Sequence, residues 1–140
     1  MPDEIQKKEV ENIVKDILIR YIDSINTRYI GIDRLDFHTA TNAQITANQN
    51  NYAIGNGTRF RLSTDAARNI TGITGGADGK MLIIHNVGGF NIVLQDQNAG
   101  SLAGNRIITG TGADLTVATN QSVILTYDVT TARWRIFKNA

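Results

Sequence analysis

The sequence predicts a mainly β protein, with an N-terminal α-helix followed by an antiparallel, jelly-roll-like β-sandwich. Three observations carry that expectation. Gly31 is the only one of 13 glycines that precedes residue 55. Residues 1–38 hold six basic and eight acidic side chains, every glutamate among them. Apolar residues recur at the helical period up to Ile25, and in short strand-like runs from Arg59 onward. The expected division is residues 1–38, a helical anchor or oligomerisation segment with its linker, and 39–140, the β domain.

Pro2 suits a first helical turn, and Asp3 and Glu4 sit at the positive end of the helix dipole. Val10, Ile13, Val14, Ile17, Leu18, Tyr21, Ile22 and Ile25 then form one broad apolar face. Asn26 and Thr27 mark the expected end, and Gly31 the exit. The stripe is wider than a two-per-heptad seam and too short for a long coiled coil. Such a face packs on its own domain, on copies of itself or on a partner. A two-layer β domain has little need of a lone helix, so association is the expectation.

The strand signals follow in order. Arg59-Phe60-Arg61-Leu62 alternates, with Phe60 and Leu62 on one side and the arginines on the other. Met81-Leu82-Ile83-Ile84 is continuously apolar, as in a strand buried on both faces. Asn91–Gln95, Asn105–Thr109, Leu115–Ala118, Ser122–Tyr127 and Arg133–Phe137 complete the set, with Asp128–Ala132 as a hairpin connection. Spacing of about ten residues with Gly or Asn punctuation is the pattern of a sandwich or barrel. Trp134 and Phe137 read as core or interface anchors. The segments ITGITGGAD (70–78) and ITGTGAD (108–114) echo one another, through either duplicated corners or chance in a Gly/Thr-rich chain.

The tests for chemistry come out against an enzyme. GGADGK, residues 75–80, ends in Gly-Lys, but its first glycine is one residue too close to Gly79 for a phosphate loop. Met81 follows where a hydroxyl is needed, and a strand follows where a helix is needed. It reads as a turn in which Gly75, Gly76 and Gly79 supply positive φ angles. GTGAD, residues 110–114, lacks the third glycine and the helix of a dinucleotide fingerprint. His38 and His85 are isolated, and Asp96-x-Asn98 fails as a calcium loop because Gly100 and Ile107 stand where ligands belong. Cysteine is absent and no serine lies in a nucleophile elbow. The sequons at Asn56, Asn69 and Asn120 are compositional in a chain whose N-terminus lacks a secretion signal. With 14 Lys+Arg against 13 Asp+Glu, nothing points to nucleic acid. No apolar run approaches the roughly 20 residues that span a bilayer. No catalytic residue, cofactor or metal is expected.

The stretch GKMLIIHNVGGFNIVLQDQNAGSLAGNRIITGTGADLTVATNQSVILTYDVTTARWRIF resembles the β-sandwich modules of bacteriophage fibre and capsid-accessory proteins. The shared pattern is a Gly-led apolar strand, Asn-x-Gly, an Ile-Val-Leu strand, Asn-Arg-Ile, Gly-Thr-Gly, a Leu-Thr strand, Ser-Val-x-Leu-x-Tyr-Asp and a closing Arg-Trp. It covers roughly residues 57 to 137. The resemblance implies a non-enzymatic virion protein made in the host bacterial cytoplasm: a short homotrimeric head fibre or capsid decoration, anchored to other virion proteins through its N-terminal segment. The alternative is a tail-fibre or baseplate tip that binds a host-surface receptor or glycan. Tyr52, Tyr127 and Trp134 are then candidates for stacking on sugars, though each also reads as core. An acidic or His-lined cleft would point instead to an enzyme.

Overall fold

The computed structural model describes residues 3–26 and 36–137, with the side chains of 21–26 outside the description. The chain divides into two compact units, residues 1–36 and 37–140.

In the first unit, helix α1 runs Glu4–Asn26. Its N-terminus is closed by a reciprocal cap. The Gln6 amide donates to Asp3 Oδ1 at 2.8 Å, and the Asp3 amide donates to Gln6 Oε1 at 3.3 Å. This satisfies two donors that the first turn leaves without a helical acceptor.

Among the described residues the second unit holds nine strands. They are β1 Thr39–Thr41, β2 Arg59–Leu62, β3 Arg68–Ile70, β4 Met81–Asn86, β5 Ile92–Leu94, β6 Ile107–Ile108, β7 Leu115–Val117, β8 Ser122–Asp128 and β9 Arg133–Ile136. One sheet has the order β1-β2-β4-β8-β9-β6 and the other β3-β5-β7. The expected antiparallel sandwich is overturned by the pairing. β1 and β2, β2 and β4, β3 and β5, and β6 and β9 are all parallel. Thr39 lies beside Arg59, Arg59 beside Ile83, and Arg68 beside Ile92. In the first three of these pairs the partners lie 20 to 24 residues apart, so the chain completes a coil before it meets itself, and the coils stack as in a β-solenoid. Single parallel bridges at Ile45–Thr64, Gln49–Ile70 and Tyr52–Ile73 continue the stacking between strands. The ten-residue spacing that suggests a sandwich or barrel has another origin here. In the first three coils it is the distance from one face to the next around a corner.

Antiparallel pairing enters only after β5, where β8 pairs with β4 and β9, and β7 pairs with β5.

Stacking aligns the inward side chains. Ala40, Phe60, Ile84 and Val123 sit side by side across β1, β2, β4 and β8. Ile70, Leu94 and Leu115 do the same across β3, β5 and β7. Phe60, Leu62, Ile70, Leu82, Ile84, Ile92, Leu94 and Leu125 are fully buried between the sheets. β4 alternates, with Leu82 and Ile84 inward and Ile83 half-exposed, so its apolar run is not buried on both faces. Phe137 is 72 % exposed and is not a core anchor, whereas Trp134 is completely buried. The indole Nε1 donates to the Ile73 carbonyl at 2.8 Å, which ties the β8–β9 hairpin to a corner of the second coil.

Polar groups hold the corners. Asn51 takes a left-handed φ of +50°, and its Oδ1 accepts from the Leu102 amide at 2.8 Å and the Asn105 side chain at 2.9 Å. Buried Asn86 donates to the carbonyls of Phe90 and Val117, each at 2.8 Å, and accepts from the Gly88 amide. In GGADGK, Gly75 and Gly79 do have positive φ, +77° and +70°, but Gly76 does not. Gly76 is small for another reason: a Cβ there would lie 2.1 Å from the Tyr127 ring. Lys80 Nζ closes the loop on the Gly75 carbonyl at 3.0 Å. The echoing segment turns differently, with positive φ at Gly110 and Gly112, so the two are not copies of one corner.

Three substitutions test this packing by urea denaturation. Gly76→Ala should lower stability by about 1–3 kcal/mol through overpacking against Tyr127, while Gly89→Ala, which meets nothing within 4 Å, should change little. Asn86→Ala should cost at least about 2 kcal/mol, because it leaves two carbonyls unpaired. Equal effects for the two glycines would contradict the close approach.

Candidate functional site

On α1, Val10, Ile13, Val14, Ile17 and Leu18 are all more than half exposed, and so are Ile5 and Ile19, which the periodicity did not single out. Tyr21, Ile22 and Ile25 belong to the helix by backbone, but their side chains lie outside the described residues. The helix also carries the exposed ion pairs Glu4–Lys7 at 2.9 Å and Asp16–Arg20 at 3.2 Å. Val10, Ile13, Val14, Ile17 and Leu18 form an exposed apolar surface along one side of the helix, with Ile5 and Ile19 on the other.

The three candidate aromatic residues are held within the β unit. Trp134 is at 0 % exposure and offers no face to a sugar. Tyr127 packs edge-on against it, with ring centroids 5.1 Å apart, and its hydroxyl donates to the Gly104 carbonyl at 2.9 Å. Tyr52 is half-buried against the core, and its hydroxyl accepts from Asn42 Nδ2 at 3.0 Å. The structure therefore does not bring these three together as a stacking platform.

It brings together a different set. Strand alternation turns Arg59 and Arg61 outward from β2. The register places His85 of β4 beside Arg61, and Ser122 of β8 beside His85. These residues, with Asn120, line an open cleft of about 200 Å³ on the outer face of the six-stranded sheet, and no Asp or Glu lines it. His85 Nδ1 is hydrogen-bonded to Ser122 Oγ, while its Nε2 is buried with no hydrogen-bond partner. Desolvation, then the charges of Arg59 and Arg61, push the imidazole below its ordinary value of 6.5.

The pair has the serine and imidazole of acyl-transfer chemistry without the carboxylate that orients the ring. The two arginines also oppose the positive charge that a general base must take up. Among the described residues no group of three His, Asp or Glu side chains is placed to hold a metal ion. No helix among them is long and apolar enough to cross a membrane. What the cleft can do is attract negative charge.

Sequence reading had Arg59 and Arg61 outward and had His85 isolated. The alternation of RFRL was the signal for the first two. Nothing local reveals that Arg61, His85 and Ser122 share one rung.

The depressed imidazole has a consequence for stability. Below 6.5 the unfolded chain takes up the proton before the folded one does, so stability should fall as pH drops from 6.5 toward the lowered folded value and be flat above. His85→Gln should flatten that slope, measured as the denaturation midpoint between pH 5 and pH 8; an unchanged slope would show that His85 is not its source. No protein-family model, curated protein or solved structure matches the chain.

Proposed function

We propose that the chain is a non-enzymatic structural protein of a bacteriophage virion, a short homotrimeric head fibre or capsid decoration anchored by α1. The observation that carries this reading is the exposed apolar stripe. Burying one such side chain is worth about 1.5–3 kcal/mol, and Val10, Val14, Ile17 and Leu18 all stand more than half exposed. A soluble monomer rarely leaves so continuous an apolar surface uncovered. Around a threefold axis three copies cover one another's stripes with a single gene product. A stack of β-coils is a projecting element suited to such a stalk. The resemblance in residues 57 to 137 supplies the virion context. A second reading, a tail-fibre or baseplate tip that binds a host-surface receptor or glycan, is favoured by the basic cleft on the outer face of the sheet.

Light scattering tests the association. The wild-type chain should run at about three times its 15.3 kDa. Ile17→Asp, which puts a charge in the middle of the stripe, should reduce the mass to that of one chain and leave the β-sheet circular dichroism intact. A wild-type monomer, or an Ile17→Asp variant of unchanged mass, would exclude the bundle.

A further inference from the structure

We propose that the cleft over His85 binds a single oxyanion, a phosphate or carboxylate group, between the Arg59 and Arg61 guanidiniums. The inference stands independently of how α1 is covered.

The cations of the β unit are not equivalent. Arg68 pairs with Asp65 at 2.8 Å and Arg135 with Asp128 at 2.8 Å. Arg106 donates to the Ser101 carbonyl, Arg133 to Gln97 Oε1, and Lys80 to the Gly75 carbonyl. Among the described residues of this unit, only Arg59 and Arg61 have no protein acceptor. They share a strand face two residues apart, about 7 Å along it; Arg133 and Arg135 of β9 are spaced the same way, but each has an acceptor. Two like charges at that distance repel. An anion between them reverses the sign of that interaction. Each guanidinium presents a planar fork that matches two oxygens of a carboxylate or phosphate.

The floor of the cleft fits the same occupant. Asn120 and Ser122 line it as uncharged polar residues, Asn120 with a left-handed backbone φ of +64° and Ser122 Oγ hydrogen-bonded to His85 Nδ1. His85 Nε2 is a shielded polar atom without a partner, which a native structure seldom leaves unexplained. An anion that reached this nitrogen would give it the partner it lacks.

The test uses the full chain and inorganic phosphate, with acetate as the carboxylate probe and sodium chloride to hold ionic strength constant. Phosphate should shift the nuclear magnetic resonance signals of His85, Asn120 and Ser122 saturably. Arg59→Gln and Arg61→Gln should each weaken binding about tenfold, the loss expected for a charged hydrogen bond. Arg133→Gln should leave it unchanged. Alginate separates the two sources of the anion: tighter binding than acetate assigns the site to a polymer-borne carboxylate, and equal binding to a free one. The proposal is overturned if neither anion gives a saturable shift, if both arginine variants bind like wild type, or if Arg133→Gln loses as much. If either arginine variant fails to fold, the wild-type map decides: shifts centred away from His85 and Ser122 sink the site.

Discussion

The β unit depends on one constraint, the alignment of inward apolar side chains from coil to coil. Ala40, Phe60 and Ile84 lie in adjacent coils at the same place on the same face. Each apolar group is covered by its counterpart above and below, and no coil can bury its own face alone. A slip of one residue would send Phe60 outward and Arg59 inward, placing a charge in the core. Register is therefore held by burial, and the backbone ladders follow it. The end of the stack needs a different solution, which the antiparallel β8–β9 hairpin supplies. It lays Val123 and Leu125 against β4, and Trp134 reaches past it to Ile73.

The corners are where polar chemistry is spent. Asn86 satisfies two carbonyls and one amide at a bend where no strand partner reaches them. Thr71 and Ser101, both buried, share a hydroxyl contact at 2.6 Å, and Ser101 also accepts from the Asn51 amide. The hairpin tip is organised by Asp128, which accepts from Thr130, Thr131 and Arg135. The Arg135 and Thr131 hydrogen bonds hold its carboxyl down to about 2. That contribution is complete above the ordinary carboxylate value of 3.8 and disappears as pH falls through about 2.

Local features were legible in the sequence. The helix, its apolar stripe and its end at Asn26, and the strands around Phe60, Leu82, Val93, Leu125 and Trp134 follow from periodicity. The Asp3–Gln6 cap was also within reach, as an acidic residue and a glutamine three apart at the start of a helix. The direction of pairing was not. Strands as short as Thr39–Thr41 and Arg68–Ile70 carry little signal of their own, because their stability comes from stacking on neighbours 20 or 24 residues away. Period-two alternation is the same for a strand in a sandwich and a strand in a coil, so parallel and antiparallel readings fit it equally. The cleft was hidden for the same reason: Arg61, His85 and Ser122 meet only through that long-range register.

Parallel coiling also makes the length of this unit a count. Because the parallel strands of a coil pair only with those of the coils on either side, an inserted segment of the same period would add one layer, about 4.8 Å thick, at the cost of remaking the corner bonds from Asn51 to Leu102 and Asn105. Its outward residues would extend the row of Thr41, Arg61 and His85 by one place without displacing any of them. Reach and surface chemistry can therefore be changed separately, the first by the number of layers and the second by which residue stands at a given outward position.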